Sequence, residues 1–300
     1  MHDHAYMSNE SSERIGWALV LNVGFTIIEF VGGLLTNSTA IMADAVHDLG
    51  DSLSIGSAWV LNRMADKGAN DSFTYGYKRL SLLGALINGI VLIAGSAWVL
   101  MQAIPRLFDP VMPVVEGMLG LAILGVVVNG FAAYKLSAGT TLNEKVLNWH
   151  LLEDVLGWAA VLIVSIVLMF VEVAILDALL AVFFTLFILV NVLRNTGQAL
   201  KLFLQAVPDR GLVENVRDEL LSLHSVASIH HEHAWSLDGE STVYTAHLVM
   251  DSPMECAQQV EIKSEIARIL DKFQFAHTTI ELEFPEEPCR DLDNDLDDHS

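Results

Sequence analysis

Six apolar stretches, each about twenty residues or longer, fill most of the first 205 positions of this chain. They run roughly over 15–35, 40–64, 80–104, 114–136, 147–171 and 173–194. About 20 mostly apolar residues are what an α-helix needs to cross the hydrocarbon core of a bilayer. No water is available there to bond the backbone, so each segment must satisfy its own amides as a helix. The spacing therefore predicts an α-helical membrane protein with six transmembrane helices. The composition agrees, with 53% hydrophobic and only 18% charged residues, where a soluble chain carries about 25% charge. The breaks are short at Thr36-Asn37-Ser38, at Pro105 to Pro113 and at Glu172, and longer at 65–79 and 137–146. Arg14, Arg63, Lys67, Lys78, Arg79, Lys135, Lys145 and Arg194 fall on one side of these spans, and Arg106 alone falls on the other. Excess Lys and Arg marks the cytoplasmic side, so both termini are expected there.

The remainder reads differently. The helical pattern runs on to Pro208 as a linker, and an α-β-β-α-β succession follows. Asp209 is a plausible cap for its first helix. ASIHHEHAWSL and STVYTAHLVM read as strands around Asp238-Gly239-Glu240. PMECAQQVEIKSEIARILDKF is amphipathic, and HTTIELEF alternates as a closing strand. The expected organisation is a cytoplasmic tail over 1–14, a six-helix transport domain with linker over 15–207, and a cytoplasmic α+β domain over 208–285. The final segment, 286–300, holds seven acids and one base and reads as a disordered acidic tail. The net charge of −21 argues against nucleic acid as a partner, since that needs a basic footprint. Two cysteines, Cys256 and Cys289, are too few for a disulfide framework and fit a reducing compartment. The first residues lack a basic region followed by an apolar one, so no cleaved signal peptide is expected.

Chemistry concentrates in two spans. His47 and Asp51 form an H-x-x-x-D pair in the second, and His150 and Asp154 form another in the fifth. Residues i and i+4 lie one above the other on a helix face. If the two helices face each other, two imidazoles and two carboxylates converge, a nitrogen–oxygen shell suited to Zn²⁺. Ionisable groups at membrane depth are costly and mark a transported species or a relay. The bland reading, charges tolerated at a helix end in the interface, fits poorly because IGSAWVLN continues the second span for further turns. Asp44 and Asp48 join Asp51 on one stripe, and Glu153 neighbours the second pair. Asn22, Glu29, Asn88, Asn129 and Asp177 read as interhelical hydrogen-bonding groups. Zn²⁺ binding needs neutral imidazole and ionised carboxylate, and an ordinary imidazole titrates near ~6.5. Metal and protons can therefore exchange on one site. An intramembrane hydrolase would need an open coordination position and a general base, and no HExxH motif or nucleophile elbow is present. A metal sensor that does not transport is the other alternative.

VGGLLTNSTAIMADAVHDLGDSLSIG, FTYGYKRLSLLGALING and NWHLLEDVLGWAAVL resemble the cation diffusion facilitator family. HHEHAWSLDGESTVYTAHLVM and AHTTIELEF are similar to that family's cytoplasmic, ferredoxin-like domain. The resemblance implies a transport site of His47, Asp51, His150 and Asp154. It places the chain near the two-His, two-Asp branch, which includes zinc transporters of animals and zinc–cobalt–cadmium efflux proteins of bacteria. It further implies a homodimer in a membrane, a bacterial inner membrane being the expected one. Zn²⁺, with Cd²⁺ or Co²⁺ as further cargo, would leave the cytoplasm against protons, with no organic cofactor and no enzymatic step. Relatives bind regulatory metal in the cytoplasmic domain, which makes His230, His231, His247 and His277 a candidate regulatory zinc site. Strand alternation puts His231 and His233 on one face and His230 on the other, so at most a site split in two is expected. The loop at 65–79 has Asp66 and Asp71 but no histidine, so the loop metal site of some relatives is not expected.

Overall fold

The computed structural model describes residues 20, 22–65, 68–136 and 142–289; of 55, 58, 59, 61–63, 65, 135, 136 and 142–150 it describes the backbone alone. The tail expected over 1–14 and the acidic run beyond Cys289 lie outside the described residues. Six helices come first: α1 (Asn22–Thr36), α2 (Thr39–Ala65), α3 (Leu80–Phe108), α4 (Val115–Leu136), α5 (Leu142–Phe170) and α6 (Ile175–Phe203). Four of them, α3, α4, α5 from Leu151 and α6, are long and apolar enough to cross a membrane by length and composition alone. The 27 residues of α2 also suffice, at about 1.5 Å each, but Asp44, Asp48 and Asp51 lower its hydropathy. For α1 the described part is 15 residues of an apolar helix. Large apolar side chains such as Met101, Phe108, Phe131, Phe183 and Phe187 face outward. Lipid can solvate such surface and water cannot. The protein is an integral membrane protein.

Helix packing in this body is close. Ile41, Val46, Leu92, Val99, Met118, Trp158, Val161 and Ala181 share one buried cluster. Phe25 of α1 meets Trp158 of α5 edge-on, with ring centroids 5.8 Å apart. Any side chain at Gly125 of α4 would collide with that indole, so the α4–α5 approach depends on glycine there. The connections at one end of the bundle are tied together. The Arg106 guanidinium donates to the Asn37 carbonyl and to Asn37 Oδ1, each at 2.7 Å. Val114 N–H donates to the Thr36 carbonyl at 2.7 Å. Asp177, buried at the start of α6, accepts from Thr39 N–H at 2.7 Å, Ala40 N–H at 3.2 Å, Ser38 Oγ at 2.6 Å and Thr39 Oγ1 at 2.7 Å. A carboxylate from another helix thus caps α2.

The chain divides into two compact units. One holds the helices, through Arg63 and over Gly84–Thr196; the other holds Met64–Leu83 and everything from Gly197. Within the second, α7 (Arg210–Leu221), β1 (Val226–Ser236), β2 (Thr242–Met250), α8 (Cys256–Leu270) and β3 (His277–Glu283) follow in order. Asp209 caps α7 by accepting from Gly211 and Leu212 N–H. The sheet order is β1-β2-β3, with β2 antiparallel to β1 and parallel to β3. The β1–β2 turn uses Gly239 at φ +103, and Asp238 accepts from Glu240 and Ser241 N–H at 2.9 and 2.6 Å. Val216, Leu220, Tyr244, Ala246, Leu248, Met250, Ile262 and Ile266 form a core separate from that of the helices. Alternate β2 residues enter that core, which leaves Thr245, His247 and Val249 for the opposite sheet face.

Candidate metal centre

The second turn of α2 begins a line of four ionisable residues: Asp44, His47, Asp48 and Asp51. They do not act as one stripe. His47 and Asp51 turn toward α5, where His47 Nε2 lies 3.7 Å from Asp51 Oδ2 and 4.0 Å from Asp154 Oδ1. One ligand atom from each of these three residues lies within 4.8 Å of the others. These separations exceed hydrogen-bond length. They approach the roughly 3.3 Å between neighbouring ligands of a tetrahedral ion bound at ~2.0–2.1 Å. Asp154 is 9% exposed, while His47 and Asp51 are 26% and 22% exposed, so the group is recessed and still reachable. His150 sits one turn before Asp154 on α5, on the same helix face. Its side chain lies outside the described residues. Glu153, its neighbour in sequence, is exposed and outside the group.

Of the other polar residues in the spans, Asn22 donates to Ser52 Oγ at 3.1 Å and Asn88 to Ser54 Oγ at 2.6 Å. Together with Asp177 these are interhelical hydrogen bonds, as expected. Glu29 is not one: it is fully buried and joins Asp44 and Asp48 in a second group of ligand atoms within 4.8 Å of one another.

A third group lies in the unit that carries the sheet. His230, His247, Glu283 and Cys289 each offer a ligand atom within 4.8 Å of the rest. Glu283 is the hub. Its Oε1 is 2.7 Å from His247 Nδ1 and its Oε2 is 2.8 Å from His230 Nε2. Cys289 Sγ is 3.6 Å from His247 Nδ1, and Glu281 Oε2 is 3.6 Å from His247 Nε2. Burial pushes the Glu283 carboxyl up, but hydrogen bonds from Cys289, His230 and His247 outweigh it and hold the group below the usual glutamate value. It stays ionised and available as a ligand.

The face assignment from strict alternation fails here. His230 pairs with His247 and His233 with Thr245, so His231 and Glu232 together oppose Ala246. That is a β-bulge, with His231 at φ +47. It turns the His231 ring back toward its neighbours, 5.0 Å from both His230 and His247. Glu232 goes to the core side and accepts from Tyr244 Oη at 2.7 Å. Thus His230, His231 and His247 gather on one face. His277 does not join them. It pairs with Val243 while His247 pairs with Glu281, a displacement of four residues, about 13 Å along a strand. Its ring packs instead on Tyr75.

Sequence reasoning missed Glu283 and Cys289 as ligands. Glu283 shares the alternation of HTTIELE with Glu281, but the pairing register was needed to set it beside His247. Cys289 reaches the cluster through a turn in which Glu287 N–H donates to the Phe284 carbonyl. The turn straddles the expected boundary at 285, and Cys289 itself falls in the stretch expected to be a disordered tail.

Residues 17–204 match the family described as the cation efflux transmembrane domain, and residues 208–284 match the cation efflux protein cytoplasmic domain. The cadmium, cobalt and zinc/H(+)-K(+) antiporter of Bacillus subtilis (strain 168) is 29% identical over 286 residues, 94% of this chain and 91% of that protein. The metal cation efflux system protein CzcD of Cupriavidus metallidurans is 32% identical over 295 residues, covering 97% and 91%. The zinc transporter ZitB of Escherichia coli (strain K12) is 27% identical over 302 residues, covering 97% and 95%.

Proposed function

Because the chain belongs to the cation diffusion facilitator family, as a metal cation efflux transporter and not an enzyme, we propose that its cargo is Zn²⁺ bound at His47, Asp51, His150 and Asp154. One observation carries this reading: the His47 imidazole faces the carboxylates of Asp51 and Asp154 across two membrane helices. Imidazole nitrogen with carboxylate oxygen suits zinc. It also tolerates cadmium and cobalt, which the Bacillus relative's name includes. Two carboxylates balance the charge of the ion in a low-dielectric span. Metal leaves when protons take its place on the ligands, which makes the exchange a proton antiport, as that relative's name also states. The membrane is a bacterial plasma membrane with both termini in the cytoplasm, supported by the excess of Lys and Arg on that side. Residues 15–207 form the transport domain and 208–285 the cytoplasmic regulatory and dimerisation domain of a homodimer. His230 and His247 with Glu283 and Cys289 serve as its regulatory zinc ligands, with His231 alongside.

The test is zinc flux in proteoliposomes under an imposed pH gradient. Wild type should move zinc in step with a lumenal pH change. His47→Ala and Asp154→Ala should each fall to the level of empty vesicles while eluting as wild type on size exclusion. Flux near wild type in both variants rejects the site.

A further inference from the structure

Glu29 of α1 lies fully buried among membrane helices, and neither of its carboxylate oxygens has a hydrogen-bond donor. Its side chain is aimed at Asp44 and Asp48 of α2, with one oxygen from each of the three within 4.8 Å of the others. Asp48 is 4% exposed, and Asp44 Oδ2 is likewise buried without a partner. The Asp48 carboxyl stands within hydrogen-bond reach of Glu29, so a shared proton or a cation must lie between the two. Among the described residues, no lysine or arginine pairs with any of the three. The other titratable groups near them are His47, Asp51 and Asp154, which belong to the centre described above. Three crowded carboxyl groups, with no donor to either Glu29 oxygen or to Asp44 Oδ2, are a costly arrangement for packing alone. They are an ordinary arrangement around a hard cation. One oxygen from each of the three lies within 4.8 Å of the others, close enough for a single oxygen-liganded ion to bridge them.

We propose that Glu29, Asp44 and Asp48 form a second intramembrane cation position, all-oxygen in character and suited to hard divalent ions. It lies beside the His47 centre along α2, displaced toward Thr39 by about one residue triplet, less than one 5.4 Å turn. The lack of nitrogen or sulfur donors separates its character from that of the His47 centre: carboxylate oxygen suits Mn²⁺, Ca²⁺ and Mg²⁺. An ion leaving the nitrogen-containing shell thus meets a second set of carboxylates without crossing bare hydrocarbon. The role in translocation rests on the transport reading; the binding does not.

The experiment uses the full chain in nanodiscs, with His230→Ala and His247→Ala to silence the cytoplasmic cluster and His47→Ala to silence the transport centre. Mn²⁺ is the probe, counted by equilibrium dialysis and seen by electron paramagnetic resonance. The expected result is one Mn²⁺ equivalent per chain more than in the same chain carrying Glu29→Gln, with the same loss for Asp44→Asn. Glutamine keeps the shape of Glu29 and removes a buried charge, so folding should survive; Asp44→Asn decides the matter if it does not. Equal Mn²⁺ counts in parent and variants would overturn the proposal and leave the triad as a protonated packing element. That failure is distinct from failure of the transport reading. Zinc flux that survives His47→Ala removes the transport site whatever the triad binds, and equal Mn²⁺ counts with flux abolished by His47→Ala remove the triad alone.

Discussion

His47 and Asp48 are adjacent in sequence, yet their side chains serve different groups. At 100° per residue, Asp44 and Asp48 centre about 60° around the α2 axis from His47 and Asp51. One pair meets α5 and the other meets Glu29 of α1. The presence of chemistry in this turn was legible from the sequence, because polar residues inside an apolar span are expensive. The split was not, because periodicity says which residues share a face and not which neighbour covers it. Glu29 shows the same limit. An acid in mid-span reads equally well as a hydrogen-bonding strut, and only the missing donors around it distinguish the two. Selectivity should be decided at His47. His47→Asp replaces the imidazole nitrogen with a carboxylate and makes the shell harder. The expected outcome in competition flux assays is a shift of at least about tenfold, ~1.4 kcal/mol, in the Mn²⁺ to Zn²⁺ preference toward Mn²⁺. An unchanged rank order would place selectivity elsewhere.

Helix α2 shows what a whole element requires to carry such a site. Its three aspartates keep it below the hydropathy of α3 to α6, so composition alone does not mark it as a span although its length suffices. Its position depends on its first turn. Asp177 satisfies the Thr39 and Ala40 amides and two hydroxyls at once, in a place closed to water. The sequence suggested hydrogen bonding for Asp177 without its target, since Asp177 lies 138 positions from Thr39. Asp177→Ala leaves buried donors unmet, each costing about 1–3 kcal/mol, and removes a cap worth about 1 kcal/mol. The variant should show a clearly lower melting temperature in detergent and reduced zinc flux, with the metal ligands themselves intact. A melting temperature equal to wild type would mean that α2 is held by its apolar packing alone. In the sheet, strand existence and turn position were legible from alternation and Asp-Gly. The bulge at His231 was not, since nothing in HHEH marks which residue will be extra.

At the scale of the molecule, two cores have been built from one chain, and the second owes nothing to the membrane. Val216, Leu220, Tyr244, Leu248, Ile262 and Ile266 close on one another, so residues from 208 onward should fold without the spans. The His230, His247, Glu283 and Cys289 cluster then becomes testable apart from transport. Zn²⁺ that binds the folded domain and not the unfolded chain stabilises it by mass action, and a rise in melting temperature reports it. Two fragments and three substitutions separate the ligands. The fragment 208–300 should bind zinc through His230, His247, Glu283 and Cys289. The fragment 208–285 lacks Cys289 and should bind about tenfold or more weakly, as should 208–300 with Cys289→Ser, because a thiolate is among the strongest zinc donors. His277→Ala should leave the affinity unchanged, since that ring stands four residues along β3 from the partner of His247. His247→Ala should abolish the effect, because its ring touches Glu283, Glu281 and Cys289. Calorimetric titration with the melting shift as a second readout decides among these. Equal weakening by His277→Ala and His247→Ala would return the site to a loose histidine collection. No zinc-dependent shift in any fragment would reduce the cluster to a hydrogen-bonded surface and leave the domain only its pairing role.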